Sequence, residues 1–194
     1  ATMVQRFGYR NTMTGGLLVV ASAATSLLRL EADTALWQIL LAFFFYGLGM
    51  GNVMAPGSTV MQNVLPLARA GAGSAVQNTV RQVASALGVA MMGTLLATEY
   101  ASRVLPTLRS IPMLPDAART VALKSLMATM GVLQAGASHG ASPATIGALR
   151  DQVFAAFVDA SHVTIGFSVI ALVGGAVVVG TLLPPIQPPA RKSH

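Results

Sequence analysis

The chain has no cysteine and only three histidines, His139, His162 and His194. Without cysteine there is no disulfide framework, thiolate zinc site, iron–sulfur cluster or cysteine nucleophile. No H-E-x-x-H or paired-histidine spacing occurs, so neither a resident metal nor a cofactor is expected. Charge is scarce as well: 9% of the 194 residues are charged, where ordinary soluble domains carry about a quarter. That scarcity argues against a water-soluble enzyme. The pI is about 10.8, yet the arginines stand singly and the one basic pair is Arg191-Lys192. No basic patch tracks a phosphate backbone, and nucleic acid is not an expected partner.

What is present is apolar and comes in runs: 54% of residues are hydrophobic and the mean hydropathy is +0.66. Val163 to Leu183 contains no ionisable side chain, and at about 1.5 Å per helical residue it covers a bilayer core of about 30 Å. Hydrocarbon leaves only helices or closed barrels able to satisfy their own backbone, and strand-like alternation is absent. The expected fold is therefore an all-α integral membrane bundle with four transmembrane helices, at about Met13–Leu28, Leu36–Val60, Gly73–Ala97 and Ala160–Leu183. Trp37, an interface-preferring residue, opens the second. Arg6 and Arg10 precede the first and suit a cytoplasmic flank. Beginning at Ala1 so close before an apolar run, the chain reads as a piece of something longer.

Tyr100 to Asp159 differs in kind. Leu123, Leu126, Met127, Met130 and Leu133 recur at helical spacing, and Gln134 to Gly140 breaks the pattern. Ser142-Pro143 has the form of a cap with proline at the first helical position, before a stripe of Ile146, Leu149, Val153, Phe154 and Phe157. An external amphipathic helical hairpin on the membrane surface is expected here. Three segments follow: 1–99 with the first loop and three spans, 100–159 as the connector, and 160–194 with the last span and a cytoplasmic tail. Pro184, Pro185, Pro188 and Pro189 stop the last helix.

The start of the third span carries the most information. Ser74, Gln77, Asn78, Arg81, Gln82 and Ser85 lie within less than half of the helix circumference. A central arginine facing lipid costs at least about 2.5 kcal/mol, so this stripe meets a neighbouring helix, a cavity or the interface. Two readings stand: a wall of a polar path, or interhelical glue with Arg81 reaching toward headgroups. Ser74, Gln77, Asn78 and Gln82 are the candidate path residues. Small residues make a second constellation, with Gly47, Gly49, Gly51 and Pro56 in one span and Gly88 in another. These fit helix packing or a hinge; the strand that phosphate binding by such a glycine string requires is missing.

Two further patterns are weaker. Gly136-Ala137-Ser138-His139-Gly140 formally matches the G-x-S-x-G nucleophile elbow, but it sits in a break between helices and lacks the strand-to-helix turn, so no catalytic residue is assigned. Asp159 and His162, three residues apart beside the last span, suggest a proton relay or simply a hydrated interface.

Three segments in order resemble the second half of the major facilitator superfamily, in particular its fourteen-span drug/proton antiporters. Gln5-Arg6-Phe7-Gly8-Tyr9-Arg10 resembles the cytoplasmic loop motif, with Arg6, Gly8 and Arg10 in register and Gln5 where the family carries an acid. Gly47-Leu48-Gly49-Met50-Gly51, on to Pro56, is similar to a glycine-rich span. Gly71-Ala72-Gly73-Ser74-Ala75-Val76-Gln77-Asn78-Thr79-Val80-Arg81-Gln82, then Ala86-Leu87-Gly88-Val89-Ala90, looks like the penultimate span.

The resemblance implies a partial major facilitator fold, spans eleven to fourteen, in a bacterial cytoplasmic membrane. It implies the C-terminal part of a secondary active transporter that exports drugs or other amphiphilic, including cationic, small molecules in exchange for protons. The proton-titrating acid and its paired arginine would lie in the other half. Partners would be substrate, protons, membrane lipid, and the missing N-terminal half or another copy of the chain. The alternatives are a four-helix membrane scaffold that binds a partner, or a truncated remnant without function. With the N-terminus cytoplasmic, basic residues divide evenly between the two sides, so the family alone supplies the orientation.

Overall fold

The computed structural model describes residues 2–28, 34–64, 70–111, 114–138 and 142–184. All regular structure among them is helical: α1 (Thr2–Leu27), α2 (Leu36–Val64), α3 (Ala70–Arg109), α4 (Asp116–Ala122), α5 (Leu126–Ser138) and α6 (Pro143–Leu182). Three of these are long and apolar enough to cross a membrane, over Leu36–Val60, Gly71–Arg109 and Pro143–Leu182. α1 is 26 residues long but less apolar, because Gln5, Arg6, Arg10 and Asn11 occupy its first half. The expected tail 185–194 and His139 lie outside the described residues.

Several boundaries differ from those read off the sequence, each for a local reason. α1 begins well before Met13 and carries a kink at Gly8, whose φ of 76° and ψ of 167° belong to a backbone region essentially restricted to glycine. α3 does not stop at Ala97 but continues to Arg109, whose charge suits the negative end of the helix dipole. The stripe expected from Leu123 lies on one helix, α5, which starts at Leu126 and leaves Leu123 at the end of the short α4. Ser125 Oγ accepts the Ala128 backbone N–H at 3.2 Å, capping a new helix and ending the old one at Ala122. The second amphipathic helix is not a separate hairpin arm: from Pro143 it runs without interruption into the last span.

α3 and α6 have 40 residues each, about 60 Å of helix, roughly twice the hydrocarbon thickness. Each is thus longer than a single crossing requires. The expected boundaries at 99/100 and 159/160 fall inside these two helices.

The chain divides into two compact units, 1–85 with 165–194, and 86–164. In the second, Tyr100, Val104 and Leu108 form one stripe of α3 at four-residue spacing. They pack with Ala122, Leu133, Val153, Ala156 and Ala160 from the other helices. Inside this core Tyr100 Oη and Thr129 Oγ1 are 2.6 Å apart. Arg103 bridges Glu99 and Asp159, at 3.6 and 3.5 Å. Phe154 and Met127, counted as stripe members in sequence, stay exposed.

In the first unit, α1 and α2 meet at glycines, and Gly180 of α6 lies against the Thr14 side chain of α1. Elsewhere the spans bury almost nothing: 17% of the most apolar window of α2 is buried, none of α3 and 6% of α6. Phe43, Phe44, Val80, Val89 and Ile170 are all more than half exposed. Apolar surface of that extent is stable only against lipid or further protein.

Candidate functional site

The polar stripe of α3 faces a groove. A cavity of about 390 Å³ in the first unit is lined by Met13 of α1, by Val53, Met54, Gly57 and Ser58 of α2, and by Ser74, Gln77, Asn78 and Arg81 of α3. Three of the four candidate path residues are thereby brought together. Gln82 is exposed and outside the lining. At 100° per residue it sits on the edge of the stripe, turned from Ser74, Asn78 and Arg81.

Hydrogen bonds fix part of the geometry. Gln77 Nε2 donates to Ser58 Oγ at 3.4 Å, a long bond that ties α3 to α2. Arg81 donates through Nη2 to Asn78 Oδ1 at 2.9 Å, one turn back on the same helix. Arginine can only donate, so Asn78 turns its carbonyl oxygen toward Arg81 and keeps Nδ2 for another partner. The groove therefore combines methionine and valine surface with hydroxyl, amide and guanidinium groups. Such a mixture accommodates an amphiphile: thioether side chains adapt to varied apolar shapes, and a few polar groups orient the molecule.

Ser58, Met13 and Met54 were not singled out in the sequence. Ser58 stands two residues after Pro56 in a glycine-rich run, and the only signal for it was that a serine in an apolar span seeks a partner. Which helix supplies that partner is decided by packing.

The packing glycines sort differently from their sequence pattern. A Cβ on Gly49 would lie 2.7 Å from the Gly16 carbonyl oxygen and 2.7 Å from Val20 Cγ2, while one on Gly47, Gly51 or Gly88 would meet nothing within 4 Å. Close approach is thus made by Gly49 with Gly16, a residue that the sequence left inside an ordinary apolar stretch. Pro56 is buried inside α2, where it removes one backbone donor and frees the Asn52 carbonyl. Asn52 itself donates to the Leu48 carbonyl at 2.8 Å.

At the loop motif, Gly8 makes the kink between Arg6 and Arg10. The Thr12 hydroxyl donates to the Gly8 carbonyl at 2.8 Å, and the Arg6 guanidinium stands 5.7 Å from the Phe7 ring centre. Neither arginine has an ion-pair partner among the described residues.

No protein-family model and no solved structure matches the chain. About half of it is similar to curated proteins named for drug resistance, export or MFS-type transport. It is 31% identical over 96 residues to the tetracenomycin C resistance and export protein of Streptomyces glaucescens, covering 50% of this chain and 18% of that one. It is 40% identical over 98 residues to a puromycin resistance protein of Streptomyces alboniger, covering 48% and 19%. An uncharacterised MFS-type transporter of Bacillus subtilis is 30% identical over 93 residues, covering 48% and 18%. Each matched stretch is thus less than a fifth of the relative's length. Together with the long apolar helices, these similarities suggest a multi-pass membrane protein, one part of which is similar to resistance and MFS-type transport proteins.

Proposed function

We propose that the chain is the C-terminal part, spans eleven to fourteen, of a fourteen-span major facilitator antiporter that exports amphiphilic small molecules in exchange for protons across a bacterial cytoplasmic membrane. The observation that carries this reading is the groove, in which Ser74, Gln77 and Asn78 converge with Ser58 and two methionines. Polar side chains held in a span at the edge of an apolar pocket suit a solute path built at a helix interface. Two relatives named as resistance proteins toward tetracenomycin C and puromycin support export of small organic molecules.

In this reading Ser74, Gln77 and Asn78 contact solute, and Gln82 lies at the edge of the path. Gly49 with Gly16 is a tight packing point, while Gly47, Gly51 and Gly88 leave room for a neighbour. The bare faces of α3 and α6 would be covered by the other half of the transporter or by a second copy. Alternating access needs two walls that rock against each other, and four helices form one wall at most.

The test is substitution in the intact transporter that contains this chain. Gln77→Leu and Asn78→Leu are expected to change efflux or substrate range at near-normal expression, and Val83→Leu to change neither. Unaltered transport of every tested compound in both leucine variants would reduce the stripe to packing glue and remove the path assignment.

A further inference from the structure

The groove has a sign of charge, and the sign selects a class of solute. Arg81 lines it, and its one described hydrogen bond goes to a neutral acceptor, Asn78 Oδ1. A guanidinium has five N–H donors, so most of its capacity is unused among the described residues. Among the described residues no Asp or Glu lines the cavity. The distribution of acids sharpens this. In residues 1–85 and 165–194 the only ones are Glu31 and Asp33, both between α1 and α2. Asn78, with its carbonyl already turned to Arg81, adds an N–H donor rather than an acceptor. The groove thus offers donors and one positive charge beside apolar surface.

We propose that this groove binds amphiphiles carrying an oxyanion (a carboxylate, phenolate, sulfonate or phosphate ester), with Arg81 as the residue that selects charge. This rests on the reading of the groove as a solute site, and it narrows the substrate class from amphiphiles in general to anionic ones. The aromatic or aliphatic body of the ligand lies on Met13, Val53 and Met54, and its oxyanion accepts from Arg81. An organic cation meets the same guanidinium as a repulsive neighbour, with no carboxylate among the described lining residues to offset it. The same chemistry exists in a free solute and in an anionic lipid headgroup, and the experiment separates them.

The full chain in phosphatidylcholine nanodiscs is titrated with 8-anilinonaphthalene-1-sulfonate and with uncharged N-phenyl-1-naphthylamine, which share one aromatic frame, against empty discs. Saturable binding of the sulfonate is expected, tighter than the neutral probe by about tenfold or more, the ratio a charge-assisted hydrogen bond supplies. Arg81→Gln should bring the two probes together, and Arg81→Lys should retain most of the preference. Circular dichroism should show unchanged helicity in both variants, since Arg81 is exposed and outside any packed core. Absence of saturable binding, equal affinity of the two probes in the wild type, or equal loss of both in Arg81→Gln overturns the proposal.

Repeating the titration in phosphatidylglycerol discs assigns the source. Loss in these discs of the excess sulfonate binding of the wild type over Arg81→Gln, a comparison that cancels the lipid's own negative surface potential, means that headgroups occupy the same site, and an undiminished excess means that the site takes solute from solution; either result retains the oxyanion site. The efflux measurements on Gln77→Leu and Asn78→Leu report on the path, whereas the probe ratio reports on its charge, so either reading can fail while the other stands.

Discussion

Gly49 lies against Gly16 so closely that a Cβ on Gly49 would stand 2.7 Å from the Gly16 carbonyl oxygen, and one on Gly16 would stand 2.9 Å from the Gly49 carbonyl oxygen. Backbone meets backbone here, and no side chain can swing away to relieve an added methyl group. The α1–α2 crossing is therefore fixed by two residues of which only one belonged to the conspicuous glycine string. Hydrogen side chains at both positions let the helices touch, and close packing replaces the hydrophobic drive that lipid does not supply.

Gly49→Ala and Gly16→Ala should each lower thermal stability in detergent by about 1–3 kcal/mol, the usual range for overpacking without an exit. Gly47→Ala and Gly51→Ala should be neutral or slightly stabilising, because the new methyl group meets open space and helix propensity improves by up to about 1 kcal/mol. The ordering of the four variants on one unfolding assay checks the contact; equal behaviour of Gly47 and Gly49 contradicts it.

Gly8 should tolerate no side chain. Its φ of 76° with ψ of 167° costs a residue bearing Cβ about 1–3 kcal/mol. Gly8→Ala is expected to straighten the kink or destabilise α1, and limited proteolysis near Arg6 and Arg10 would register either. Phe7→Ala, at an exposed neighbour, should change the cleavage pattern far less.

Thr129 should matter more than Tyr100 to the polar pair in the 86–164 unit. Thr129 Oγ1 donates to the Ala122 carbonyl at 2.7 Å, which leaves the Tyr100 hydroxyl to donate to Thr129. Tyr100→Phe removes one donor and leaves Thr129 bonded, a loss of about 1 kcal/mol. Thr129→Val strands both the Tyr100 hydroxyl and the Ala122 carbonyl in a buried site, at about 1–3 kcal/mol for each. Chemical denaturation of the two variants should give a larger loss for Thr129→Val, and the reverse order would reassign the donor.

Orientation can be read directly, because the chain has no cysteine to produce background. With the N-terminus cytoplasmic, Ser110→Cys in intact cells should react with a membrane-impermeant thiol reagent, and Gln5→Cys should react only after lysis. Both residues are exposed, so failure to label is not a burial effect. The opposite pattern inverts the topology.

Much of the architecture was legible in the residues alone. Long runs such as Val163–Leu183 force helices, because hydrocarbon leaves no other way to satisfy the backbone. The three- and four-residue spacing of Ser74, Gln77, Asn78 and Arg81 placed them on one face before any neighbour was known. What tertiary structure alone decided was who stands opposite. Ser58, Met13 and Gly16 carry no periodic or compositional signal, since their roles come from another helix's surface. Helix lengths were decided there too. The stretch of α3 beyond Ala97 gave no sequence reason to continue as helix, and it does so where Tyr100, Val104 and Leu108 find Leu133, Val153 and Ala160 to pack against. Local chemistry sets which residues share a face, and only packing sets which face each one meets.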